Sequence, residues 1–231
     1  MIALIKKVGL TLRPKKQKPS QIGPAVSIML TFIAVQVLSI VAVFLFQSQP
    51  PSYFINANVV INLAGAFFAL WINYHFNLVY PFERGQTKGK EILTWGLTGT
   101  ALAYLSQVAL TMLEITLFGQ PTVSANTTSI MATILANPLF VLLPIISAPV
   151  LEELVFRKAI NGLLVDKIGW IGAAVISSLV FAFIHFDGMI LTYSVMGLIF
   201  SYVYYKTQNI WGPIIAHMGL NILATILNLL V

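Results

Sequence analysis

A chain of 231 residues with 58% hydrophobic and only 9% charged residues, at a mean hydropathy of +0.89, is not a soluble globular domain, in which about a quarter of residues are charged. Its net charge of +6 is not arranged for nucleic acid, because Lys and Arg gather in an N-terminal tail and in loops, as membrane topology requires. The absence of cysteine excludes disulfides and thiolate-ligated metal sites.

The basic tail (Lys6, Lys7, Arg13, Lys15, Lys16, Lys18) precedes 23 uncharged residues from Pro24 to Phe46. That run is too long for the apolar core of a signal peptide and no small-residue cleavage site follows it, so it is read as a retained first span. Taking about 20 apolar residues per crossing, spans are predicted near 24–46, 56–80, 92–118, 138–163, 169–186, 188–206 and 210–231. The segment 128–136 is apolar but short, and it ends at Asn137-Pro138, a helix start with Asn as N-cap and Pro at the first helical position. It is therefore re-entrant or an eighth helix lying partly in the membrane. The expected fold is all-α, a polytopic transmembrane bundle of about seven spans, with eight as the alternative. Seven crossings with the tail inside put all 13 Lys and Arg on the inner side or at inner helix ends, except Arg157 and Lys158, which lie deeper. The expected localisation is thus the cell membrane, multi-pass, with a cytoplasmic N-terminus.

Ionisable groups inside spans are costly, at roughly 2.5–3.5 kcal/mol each on insertion scales, and each is a functional candidate. Glu152, Glu153 and Arg157 lie on the fourth span, His185 ends the fifth, and His217 is in the seventh. Glu114 and His75 lie nearer span ends, where His75 suits a polar anchor and Glu114 takes no role. Glu153 and Arg157 are four apart, on one helix face, and can pair. Glu152 is rotated by one residue and is free for another partner. His217 and Asn221 stack at the same spacing, as do Phe181 and His185. Counted from Lys167 back to Glu152, and from Lys206 forward to Asn221, the depth is about 22 Å in each case; from Lys167 to His185 it is about 27 Å. One polar pocket at or beyond mid-membrane follows, with His185 as the outlier.

These residues form three motifs: Glu152-Glu153-Leu-Val-Phe-Arg157 (EExxxR), Phe181-Ala-Phe-Ile-His185 (FxxxH) and His217-Met-Gly-Leu-Asn221 (HxxxN). In this order on successive hydrophobic helices they resemble the CPBP family, which includes type II CAAX prenyl endopeptidases and bacterial relatives linked to bacteriocin processing and immunity. The resemblance covers roughly Asn137 to Val231. It implies a division into a basic cytoplasmic tail (1–23), three N-terminal transmembrane helices (24–127) and a protease-like core (128–231). It implies an intramembrane endopeptidase acting on a membrane-associated peptide or protein. In that reading Glu152 activates the attacking water with His185, and His217 and Asn221 stabilise the oxyanion. Glu153, Arg157 and Phe181 are supporting residues. Glu152, His185 and His217 also make a two-His, one-carboxylate zinc set with an open position, so zinc is the alternative to a metal-free glutamate mechanism, which is preferred.

Each residue has a plainer reading. Glu153–Arg157 suits a neutralised pair that orients helices, with Glu152 as a further member of that network. His185 suits a helix-end histidine, since Asp187 and Gly188 follow at once, and His217 with Asn221 suits interhelical hydrogen-bond glue. The rival function is a non-catalytic immunity or binding protein that sequesters a hydrophobic peptide. A proton-coupled transporter would show paired broken helices in a repeated architecture, and only one break, at Asn137-Pro138, is apparent. The expected partners are the lipid bilayer and a peptide or protein substrate, with no nucleic acid. Whether that substrate is prenylated is left open.

Overall fold

A computed structural model describes residues 21–83, 87–120 and 123–230, and within them every element is helical. The basic tail, residues 1–20, lies outside the described residues. Helices α1 (Ile22–Leu45) and α2 (Pro51–His75) form a hairpin, followed by α3 (Gly89–Phe118) and the short α4 (Ala125–Ala136). The chain then runs without a loop through a 3₁₀ turn (Pro138–Val141), a π-helical segment (Leu143–Ser147), α5 (Ala148–Glu153), a second π segment (Leu154–Asn161) and α6 (Gly162–Phe183). Two helices close the fold, α7 (Ile190–Thr207) and α8 (Trp211–Leu230). The all-α bundle expected from the sequence is what is observed.

Among the described residues, five stretches are long and apolar enough to cross a membrane, and one of them, Pro138–Phe183, has 46 residues. A straight helix of that length would reach about 69 Å, more than twice a hydrocarbon core of about 30 Å. It does not run straight. Gly169 takes φ 75° and ψ 170°, a left-handed φ that glycine adopts without steric cost, and α6 restarts beyond it. This break is where the sequence placed the boundary of the fifth span. The segment read as re-entrant or as an eighth helix is α4, whose 12 residues span only about 18 Å. Asn137 caps the next turn as expected, its Oδ1 accepting from Leu139 N at 3.2 Å. The second span begins at Pro51, five residues before the predicted start, because Pro51 occupies the first helical turn, where its missing N–H costs nothing.

The bundle is apolar outside, and its largely apolar interior encloses its buried charges. Leu30, Phe67, Leu105 and Leu117 face outward, while Glu153 and Arg157 are fully buried. Outward apolar side chains suit lipid, which needs no hydrophilic cover. Between the helices, packing relies on small residues at close crossings. On α3, a Cβ added at Gly99 would stand 2.8 Å from Ala216 Cβ on α8, and one added at Gly197 on α7 would stand 2.8 Å from Ser178 Cβ on α6. At such distances nothing larger than hydrogen fits. These approaches bring α6, α7 and α8 around the central π segment.

Candidate active site

The two glutamates end α5 and diverge, as consecutive helical residues must. Glu153 is fully buried. Its Oε1 stands 3.1 Å from Arg157 Nη1 as an ion pair and 2.8 Å from His217 Nδ1. The Arg157 guanidinium also donates from Nη2 to the carbonyl of Gly197 at 3.1 Å. Its centre lies 4.7 Å from the Phe181 ring and 5.3 Å from the Phe200 ring, so aromatic faces replace part of the hydration it has lost. Phe200 in turn stacks on His217, with centroids 4.7 Å apart and planes 17° apart. An ionised carboxylate only accepts, so Nδ1 of His217 carries a hydrogen and its Nε2 is directed away from Glu153. That nitrogen stands 3.8 Å from Oε2 of Glu152.

The expected freedom of Glu152 for a separate partner is therefore observed. Its side chain keeps 17% of its surface exposed and borders a cavity of about 790 Å³, which His185, His217 and Asn221 also line. His185 was expected to lie deepest, and here it shares the cavity with the others. A depth taken from Lys167 assumes one unbroken helix, whereas the helix restarts after Gly169. From residue 170 to His185 the rise is about 22 Å, the same as for the other groups.

His185 sits just past the end of α6, with Nδ1 2.8 Å from the carbonyl of Phe181. That carbonyl is one of the unsatisfied acceptors of a helix C-terminus. It can only accept, so His185 holds its hydrogen on Nδ1 and leaves Nε2 as an acceptor. Phe181 packs edge-on against the same ring at 4.7 Å, which gives this supporting residue contacts with both His185 and Arg157. Asn221 donates from Nδ2 to the carbonyl of Pro144 at 2.7 Å, in the first π segment. One of its two N–H hydrogens is therefore used for structure, and the second remains.

Two residues at or near the site have roles that sequence reasoning did not assign. Tyr193 stacks on His185 with centroids 3.9 Å apart and donates its hydroxyl to Asp187 Oδ2 at 2.8 Å. Glu114, given no role, is 2% exposed and caps α7 from a different helix. It accepts from Leu191 N at 2.8 Å and from the Thr192 hydroxyl, and a carboxylate at a helix N-terminus is favoured by the dipole. Beyond the site, Lys158 is 3% exposed and pairs with Glu83, which also accepts from Tyr204 Oη at 2.6 Å and from Tyr80 N at 2.9 Å. Burial and the neighbouring Glu83 carboxylate push the Tyr80 phenol above its ordinary range. His75 stacks on Trp71 at 4.6 Å, as a polar anchor would. Among the described residues, no three His, Asp or Glu side chains converge as a metal-ligand set.

Comparison with known proteins agrees with the motifs. Residues 133–223 match the family described as "Type II CAAX prenyl endopeptidase Rce1-like". The chain is 37% identical over 138 residues to the "Putative membrane peptidase YdiL" of Bacillus subtilis (strain 168), covering 59% of this chain and 57% of that protein. It is also 37% identical over 148 residues to the "Membrane-embedded CAAX protease MroQ" of Staphylococcus aureus (strain USA300), covering 61% and 60%. The chain thus spans less than two thirds of the length of these relatives. No solved structure matches it. With its apolar helices and these membrane relatives, this is a multi-pass membrane protein. Its motif-bearing segment, residues 133–223, is similar to the Rce1-like type II CAAX prenyl endopeptidases.

Proposed function

We propose that this chain is an intramembrane endopeptidase that hydrolyses a peptide bond of a membrane-associated peptide or protein. One observation carries the reading: Glu152, His185, His217 and Asn221, from three separate helical stretches, border one cavity, and Glu152 is the carboxylate left outside the Arg157 ion pair. A water beside Glu152 gives its proton to that carboxylate while Nε2 of His185 accepts the hydrogen bond that aims it. The hydroxide oxygen bonds to the scissile carbonyl carbon, and the carbonyl π electrons move onto oxygen. That oxyanion receives hydrogen bonds from His217 as imidazolium, through Nε2, and from the second Asn221 amide hydrogen, in a site where water is scarce and donors count most. Collapse breaks the C–N bond, and the proton held by Glu152 passes to the leaving amine.

No metal takes part in this mechanism. Both histidines have Nδ1 occupied, by Phe181 O and by Glu153, which orients the rings and leaves Nε2 of each for proton transfer or, equally, for a metal ion. The purified protein in nanodiscs, shown by elemental analysis to lack zinc, is expected to cut its peptide at the full rate, and a chelator is expected to change nothing. Loss of cleavage on chelation with recovery on zinc would establish the two-His, one-carboxylate alternative. A wild-type protein that binds peptides and leaves every bond intact would refute the protease reading itself.

The N-terminus is cytoplasmic and the C-terminus external in this reading, because Lys and Arg fall on one side when seven crossings are counted. Reporters fused after Val231 are expected to be active only when the enzyme chosen works outside the cell. Activity of a cytoplasm-only reporter there would require an even number of crossings, and α4 would then have to cross.

A further inference from the structure

The cavity extends well beyond the motif residues. Its lining includes Gln36 and Ser39 on α1, Asn58 and Asn62 on α2, and Gln107 on α3, all of them outside the segment that matches the family. None lies in the first or last turn of its helix, so these polar groups stand at depths where lipid offers no hydrogen bonds. Among the described residues, the side chains of Gln36 and Gln107 make no hydrogen bond to protein. Asn58 donates from Nδ2 to Phe54 O at 2.9 Å, and Asn62 donates to Asn58 O at 2.9 Å and to Ser39 Oγ at 3.3 Å. Asn62 thus spends both its donors on the protein and Asn58 one of its two, and the Oδ1 acceptors of both have no protein donor among the described residues. An unpartnered amide in an apolar medium costs about 2–7 kcal/mol, so an amide-lined wall at membrane depth is stable only when something polar meets it. Apart from Glu152, the two histidines and Tyr193, no lining residue among those described is ionisable, and none is Lys or Arg. Apart from His217, an anionic group in the cavity would find no cation among the lining residues.

We infer that this amide-lined wall is a subsite for an extended, uncharged peptide segment, held through backbone N–H and C=O groups next to the scissile bond. The inference rests on the protease reading for the position of that bond, and it gives that reading a substrate class. Free Oδ1 acceptors meet peptide N–H groups, and the Gln36 and Gln107 amides offer both a donor and an acceptor to a peptide unit. A segment presenting only a prenyl chain would leave these amides unmet, and a terminal carboxylate, which only accepts, would leave the free Oδ1 acceptors without a donor.

The test measures binding and cleavage separately. Binding is read by fluorescence anisotropy on the Glu152→Gln protein in nanodiscs. The probe is a labelled peptide with an apolar anchor followed by Ser, Asn, Gln and Gly. The comparison peptide carries an S-farnesylated cysteine followed by three aliphatic residues and a free carboxylate. Gln36→Leu and Gln107→Leu are each expected to raise Kd of the first peptide about fivefold, as the loss of one neutral hydrogen bond does. In the protein that retains Glu152 they are expected to raise KM to the same extent, with kcat within twofold. Neither side chain bonds to the protein, so neither change disturbs the fold. Thr116→Val, on a threonine that bonds only to its own helix at Met112 O, is expected to change nothing. Unchanged Kd in both variants would mean a hydrated wall only and would overturn the subsite, as would tighter binding of the farnesylated peptide. Cleavage with a KM indifferent to Gln36 and Gln107 would remove the subsite and leave the protease. Binding that depends on them, with no cleavage by the wild type, would do the reverse.

Discussion

Glu152→Gln should abolish peptide cleavage while leaving the amount of folded protein in the membrane almost unchanged. The substitution keeps the shape of the side chain and removes only its ability to take a proton, a contribution of about 10²–10⁴ in rate for a positioned general base. Stability should be spared because Glu152 is partly exposed to the cavity and its nearest cation candidate, His217 Nε2, is 3.8 Å away. His185→Ala and His217→Ala should each abolish cleavage as well. Groups that act as one unit do not add, so a variant lacking all three should be no slower than the worst single one. Asn221→Ala should cost less, about 10²–10³ in turnover, as loss of one oxyanion donor does. The rival reading, a protein that sequesters a hydrophobic peptide without cutting it, predicts the opposite. If Glu152→Gln still protects a cell or retains its peptide normally, catalysis is not what the cell uses this protein for.

The helical class and the motif residues were legible because both depend on local spacing. Apolar run length sets the spans, and a separation of four places Glu153 with Arg157 on one face whatever the rest of the chain does. Boundaries at the spans' ends were less legible. Pro50-Pro51 was read as loop, although the second proline fits the first helical turn. The widened π segments on either side of α5 had no sequence signal, and such segments cluster at functional sites. Their effect is visible in Asn221, which donates to the Pro144 carbonyl within the first of them. Of the relations between helices, only the shared depth of the motif residues was legible, and no individual contact. The bond from Glu153 to His217 joins residues 64 apart, and Glu114 reaches 77 residues to cap α7. Tyr193 is one of many aromatic residues in an apolar helix until the fold lays it on His185. The cavity wall from α1 to α3 was missed for the same reason, since amides scattered over three helices form no motif.

Arg157→Ala should lower the amount of folded protein in the membrane sharply, by an effect worth about 3–5 kcal/mol, because it leaves the Glu153 carboxylate buried without its ion-pair partner. Both side chains are fully buried, so water cannot enter to take the place of the guanidinium. The same change removes the donor to Gly197 O and the cation between the Phe181 and Phe200 rings. Arg157→Lys should recover little, since an ammonium cannot serve Glu153, Gly197 and two ring faces at once. Replacing both partners, as Glu153→Gln with Arg157→Met, should restore abundance, because removing a buried pair together avoids the stranded charge. Activity per folded molecule should still fall in that double variant. Glu153 holds Nδ1 of His217 at 2.8 Å, and a Gln in its place presents a weaker acceptor, so Nε2 is aimed less firmly at Glu152. Quantitative immunoblotting of membrane fractions, with cleavage normalised to the folded amount, separates the two effects. If Glu152→Gln loses as much abundance as Arg157→Ala, Glu152 is structural and the division of labour between the two glutamates is wrong. If the double variant is abundant and fully active, the tie from Glu153 to His217 orients nothing that the reaction needs.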